Sequence, residues 1–334
     1  MIGPFSYLKE FIMVTKSAEQ KGVILCLLAA FCYSLGPILG KLLFAVGLPW
    51  QVVVTMRGMI PAVLLFVYAL CFARYVFHIK REHLHLFLLN GVSFGFISVC
   101  NYCSLYYIDA AVATVLLYTL PVFTVLLSRI MLKESFTAPK VIAMIMAFLG
   151  ILFIIEVFNI GSLSTDGGTK IFGIPSAIFG IIIGLMSGLL SSLYTIFTKK
   201  LNSFYPGWTV NSWCYFIGLP IFFFIGAPHI ASYHWNATSL MGIIIISLVG
   251  LAAYSLYALS MQHIDAGKAS LLVTLDPVLS VSMAILILGE HLTILQLLGC
   301  VLVFGGILFM EKGQLLLNRI APKSSKKQKG SASP

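Results

Sequence analysis

The chain has 334 residues, of which 60% are hydrophobic and only 10% charged, and its mean hydropathy is +1.01. So little charge cannot cover the surface of soluble domains of this total length. The formal net charge of +10 is spread over short loops and a tail (Lys323, Lys326, Lys327, Lys329). That is the distribution of a chain oriented in a membrane, not of a nucleic-acid-binding face, so no nucleic-acid partner is expected.

In chain order, residues 1–21 form a basic cytoplasmic segment with Lys9, Lys16 and Lys21 and without a clear cleavage site. Phe5, Leu8, Ile12 and Thr15 fall near one helical face, so the segment either rests on the membrane surface or frays. Apolar runs long enough to cross a bilayer then recur at about 22–44, 50–73, 84–105, 110–132, 139–157, 173–197, 208–226, 239–260, 266–288 and 294–311. A polar, Gly-rich stretch at 158–172 separates five spans (22–157) from five more (173–311), and a basic tail, 312–334, follows. An even number of crossings puts both termini on one side. With that side cytoplasmic, every Lys and Arg except Lys41, Arg57 and Lys170 lies inside, the bias expected of a plasma or inner membrane protein. All seven cysteines fall inside spans. The Cys100-x-x-Cys103 pair reads as helix packing, and neither a metal nor another cofactor is expected.

The two halves repeat one another. "SLYYIDAAVATVLLYTLPVFTVLLSRIMLKESFT" (104–137) aligns without a gap on "SMQHIDAGKASLLVTLDPVLSVSMAILILGEHLT" (260–293) at an offset of 156 residues. The non-greasy matches carry the alignment: Ser104 with Ser260, Asp109 with Asp265, Pro121 with Pro277, Glu134 with Glu290, Thr137 with Thr293, Gly150 with Gly306. Five crossings per copy force the second copy into the membrane upside down. The predicted fold class is therefore all-α membrane: ten transmembrane helices as two inverted five-helix repeats. These motifs resemble those of the EamA-type drug/metabolite transporter superfamily over residues 20–312. The resemblance implies a carrier of small metabolites such as amino acids, nucleobases or S-adenosylmethionine.

Several residues carry the functional reading. Asp109 and Asp265 stand before Ala-rich helix starts and are read as caps; Glu134 and Glu290, in the connections just before the next helix, are read as structural residues, with a gating role as the alternative. Pro121 and Pro277 deprive carbonyls of donors at mid-span, which in a membrane must face protein, water or solute, so the two kinks are expected to flank a central cavity. Asp276 places a carboxylate within an apolar run, at a cost of about 2.5–3.5 kcal/mol on insertion scales. Its counterpart in the first half is Leu120, so the fold does not require it. One helical wheel puts Asp276 on a face with Ala269, Leu272, Val273 and Ser280, and turns Val278, Val281 and Ile285 toward lipid; Thr274 falls on the lipid side against that pattern.

Three roles stay open for Asp276: contact with a solute's ammonium, carriage of a coupling proton with a pKa raised by burial, or a structural pair with Arg57. Arg57 itself is read as a structural charge. Aromatic and amide groups that would complete the pocket are Asn101, Tyr118, Tyr254 and Tyr257, with Tyr33, Tyr102, Tyr194 and Trp213 as further candidates. Gly36/Gly40, Gly91/Gly95 and the stripe Gly180, Gly184, Gly188, Ser192 are close-packing positions or cavity walls.

The expected activity is secondary transport of a small polar, amine-bearing solute by alternating access, with proton coupling or exchange. The expected partners are that solute and the lipid bilayer, and pairing into a homodimer is left open. The alternative is a membrane-embedded enzyme or channel. It is disfavoured because the seven histidines lie in loops or at span ends and no phosphate loop or G-x-S-x-G is present.

Overall fold

A computed structural model describes residues 4–107, 116–135, 137–154, 170–171, 173–233, 235–279, 282–283 and 293–320. The first helix, α1 (Pro4–Ala45), runs without a break from the basic amino-terminal stretch into the first span. The α2 helix (Trp50–Cys71) starts after Pro49, whose fixed φ suits a helix entrance. Two 3-10 turns (Arg74–Phe77 and Arg81–His83) lead to α3 (Leu84–Tyr107). Then come α4 (Leu120–Met131) and α5 (Ala138–Ile154).

Part of the connection between the halves is a two-residue antiparallel ladder, Lys170–Ile171 with Ile174–Pro175, turned at Gly173, whose φ of +82° suits glycine. The second half holds α6 (Ser176–Leu201), α7 (Gly207–Ser232), α8 (Ala237–Ser260), the short α9 (Ala266–Val273) and α10 (Ile294–Ile320). A capping box fixes the start of α8: the Ser239 amide donates to Asn236 Oδ1 at 2.7 Å and the Asn236 amide to Ser239 Oγ at 3.1 Å.

Among the described residues, six helices are long and apolar enough to cross a bilayer, and Leu120–Met131, Ala138–Ile154 and Ile294–Phe309 are shorter apolar helices. Side chains that point outward, such as Ile130, Phe224 and Leu308, are apolar and exposed, as a lipid-facing surface requires.

The packing has a pseudo-two-fold pattern. The α3–α6 contact is mirrored by α1–α8, α3–α7 by α2–α8, and α4–α6 by α1–α9, while α2–α7, α4–α9 and α5–α10 pair equivalent helices. Small residues at matching positions make these crossings close. A methyl on Gly150 would lie 2.7 Å from the Gly299 carbonyl oxygen, and one on Gly306 would lie 3.0 Å from the carbonyl of Ala143; the repeat offset carries each of these contacts into the other. Ser104 Oγ on α3 donates to the Gly180 carbonyl on α6 at 2.9 Å, and in the mirrored crossing Gly22 of α1 lies against the backbone of Ser260 on α8. The stripes singled out from sequence divide. Gly184 and Gly188 touch residues 116–119, Gly91 and Gly95 touch α7, and a methyl on Gly40 would meet nothing within 4 Å.

Candidate functional site

Both fourth spans of the repeat are interrupted at the same place. Residues 116–117 are helical, 118–119 form a turn, and α4 resumes at Leu120; likewise α9 ends at Val273, 274–275 form a turn, and a helical segment resumes at Asp276. Pro121 and Pro277 are each the second residue after the interruption, where the missing N–H costs little. The prolines therefore produce breaks rather than bends. Each turn is closed by a threonine: Thr119 Oγ1 donates to the Leu116 carbonyl and Thr274 Oγ1 to the Leu271 carbonyl, both at 2.6 Å. The single wheel drawn through the second span fails for this reason. Val278 and Thr274 are both buried, because the direction of the helix is reset between them; Val281 and Ile285 lie outside the described residues.

The two breaks meet at a cavity of about 130 Å³ lined from both halves. Leu117, Tyr118 and Leu120 come from one break, and Val273 and Asp276 from the other. Tyr33 and Ile97 reach in from α1 and α3, Ser191, Tyr194 and Thr195 from α6, Tyr254 and Tyr257 from α8. Tyr118 Oη donates to Asp276 Oδ2 at 2.6 Å, a hydrogen bond across the interface of the halves. Tyrosine rings form the far wall: Tyr33 meets Tyr254 edge-on with centroids 5.1 Å apart, and Tyr194 meets Tyr254 at 5.8 Å. The Tyr257 hydroxyl is shared with Thr195 Oγ1 at 3.1 Å. Tyr194 Oη is buried and has no hydrogen-bond partner among the described residues, a capacity that a bound molecule or water would satisfy.

Of the sequence candidates, Asp276, Tyr118, Tyr254 and Tyr257 thus share one chamber. Asn101, half-buried on α3, does not line it. Trp213 is occupied elsewhere: its Nε1 donates to the Val76 carbonyl at 2.9 Å. Arg57 lines a smaller adjoining cavity of about 20 Å³ with Ser98, Tyr215 and Gly250, and Tyr254 is common to the two. The side chain of Tyr102 lies outside what is described. Tyr33 and Tyr194, further candidates from the sequence, line the chamber too, and Ser191 and Thr195 are polar additions that the sequence reading did not name.

The capping expectation needs correction. Asp265 occupies the N-cap position of α9 but makes no side-chain cap hydrogen bond; its Oδ2 accepts from Lys140 Nζ at 3.2 Å. The cap comes from the opposite repeat: Glu134 Oε1 accepts from the Ala266 amide at 2.8 Å and Oε2 from the Gly267 amide at 3.3 Å. A carboxylate accepting two free amides at a helix N-terminus outcompetes one that must fold back on its own chain. Asp109 and Glu290 lie outside the described residues. His83, one of the loop histidines, is held by the Tyr205 hydroxyl at 2.9 Å and stacks on Phe204 at 4.3 Å.

The sequence profile of the EamA-like transporter family matches residues 20–156 and 178–311. The chain belongs to the EamA-like transporter family. It is an integral, multi-pass membrane transporter, not an enzyme, and works on a small-molecule solute in a lipid environment. The chain is similar to an uncharacterized transporter of Clostridium kluyveri, with 27% identity over 308 residues that cover 86% of this chain and 92% of that protein. It is also similar to a protein of Salmonella typhimurium named a probable amino-acid metabolite efflux pump, with 24% identity covering 70% of this chain and 79% of that one. A solved crystal structure shares the fold of this EamA-like transporter with a TM-score of 0.71 at 17% identity, covering 90% of this chain and 99% of the other.

Proposed function

We propose that this EamA-like transporter is a secondary carrier of a small amine-bearing solute, with Asp276 as the group that receives the ammonium. The observation that carries the reading is the Tyr118–Asp276 pair at the meeting point of two broken helices, inside a chamber walled by tyrosines. The Tyr118 hydroxyl holds one carboxylate oxygen, and aromatic faces around it favour a cation over a neutral solute. The cavity volume of about 130 Å³ is near the ~150 Å³ that holds a benzene-sized ligand. An amino-acid-sized amine fits that scale better than a nucleoside-like metabolite such as S-adenosylmethionine, and the name of the Salmonella typhimurium relative supports the same class. The unpartnered Tyr194 hydroxyl supports a solute with a second polar group. Opposed half-helices in inverted repeats support alternating access around this chamber. The lysine distribution supports cytoplasmic termini in a plasma or inner membrane.

The test is flux of a labelled panel of amino acids, amines and nucleosides through vesicles with and without the protein. An amine hit is expected, and Asp276→Asn should lower its flux by tenfold or more at unchanged membrane level, since a charged hydrogen bond is worth about 1.5–3 kcal/mol. Unaltered flux in that variant removes Asp276 from the mechanism. A protonophore that abolishes solute accumulation supports proton coupling; insensitivity supports exchange.

A further inference from the structure

The α9 helix is braced against the first repeat at both ends. At its N-terminus Glu134, just beyond α4, accepts from the Ala266 and Gly267 amides at 2.8 and 3.3 Å. Just past its C-terminus Asp276 accepts from Tyr118, two residues before α4 begins, at 2.6 Å. The two short helices thus lie antiparallel, tied by one carboxylate at each end. Eight residues make α9 a rod of about 12 Å, too short to bend appreciably. A two-residue turn, 274–275, joins this rod to Asp276, so a displacement at one tie is passed toward the other through α9 and that turn.

The Glu134 end is a cluster of charge with Glu134 and Lys140 shielded at its centre. Its side chain is only 9% exposed and that of Lys140 12%. Lys140 Nζ stands 3.8 Å from Glu134 and 3.2 Å from Asp265, bridging the repeats a second time. Beside it Lys199 Nζ donates to the Met261 and Ile264 carbonyls at 2.8 and 2.7 Å, and Lys268 meets Glu19 at 2.7 Å. On this face α1, α4, α5, α6, α8 and α9 are therefore fastened together. Separating the repeats here strands Glu134 and two helix amides, so the face is held by groups that are costly to leave unpaired.

The geometry points to Glu134 as a positioning residue of the transport cycle: it clasps the half-helix that presents Asp276, holds this face shut, and must let go of Ala266 and Gly267 for the chamber to open here. This rests on the carrier reading. Solute contact at Asp276 and release at Glu134 are coupled mechanically through α9, by a lever that both repeats share.

The test reads access rather than flux. In a background with the native cysteines replaced, Ser191→Cys on the chamber wall is labelled with a membrane-impermeant maleimide, in vesicles of each orientation. With Glu134 present, labelling from the face bearing residues 132–138 is expected to be slow. Glu134→Ala should speed it at least tenfold, Glu134→Gln, which keeps one acceptor, by less, and Lys140→Met in the same direction. Unchanged rates in Glu134→Gln and Lys140→Met, both present at parental levels, overturn the clasp whether or not Glu134→Ala reaches the membrane. Passage of the impermeant maleimide itself across the membrane through the parent protein would show an open pore and sink the carrier reading instead.

Discussion

Tyr118 and Asp276 occupy non-equivalent positions of the repeat: their counterparts are Thr274 and Leu120. The scaffold around them is duplicated, but the acid and its donor are each supplied once, by opposite halves. Tyr118→Phe keeps the ring and removes the hydroxyl that donates to Asp276 Oδ2. The expected outcome is a several-fold rise in KM for the amine hit with little loss of protein from the membrane, read by concentration-dependent flux; an unchanged KM means that the hydroxyl does not tune the carboxylate. Asp276 was legible in the sequence because a charge in an apolar run has few explanations. Its donor was not, since several tyrosines lie near mid-span and which one crosses the interface depends on distances that no spacing encodes. Asp265 was misread as the cap for a related reason. A cap is sought next to the helix it serves, whereas here it arrives from 132 residues away along the chain.

At the scale of helices, the prolines and the glycines have opposite uses. Pro121 and Pro277 end one helical direction and start another, which creates polar turns at the chamber; Gly150 and Gly299 remove side chains so that α5 and α10 touch backbone to backbone. Gly150→Leu is expected to destabilise by overpacking, on the order of 1–3 kcal/mol, and to lower the unfolding temperature in detergent. Gly40→Leu should be nearly silent in the same measurement, because among the described residues no neighbouring atom outside its own helix backbone lies within 4 Å of its methyl position. Equal losses in the two variants would mean that the α5–α10 crossing is not what the small residue serves. The break positions followed from Pro121 and Pro277 in the sequence, but the abruptness did not. Whether a proline bends or interrupts depends on whether Thr119 and Thr274 close the preceding turn on their own carbonyls.

For the whole molecule, the helix pairings are those of two modules related by a pseudo-two-fold. Their inversion follows from an odd number of crossings in each. Reporter tags at residues 1 and 334 should therefore read out on the same face, and tags near 46 and 206 on opposite faces; ends on opposite faces would contradict the paired arrangement. This architecture was the most legible part of the sequence, because Ser104, Pro121 and Gly150 recur at a fixed interval, and the break at Pro121 and the close contact at Gly150 are both made twice. The chamber was less legible, since it is assembled from both modules and its asymmetry is invisible to a comparison that looks for sameness.

The duplicated fracture with a solitary acid has one more consequence. Folding depends on the fracture and its threonine-closed turns, and neither needs a carboxylate at 276 or forbids one at 120. With Asp276 receiving the solute, as proposed above, cargo preference is decoupled from assembly: a single codon at that locus would redraw what is carried while the helices still find the same partners.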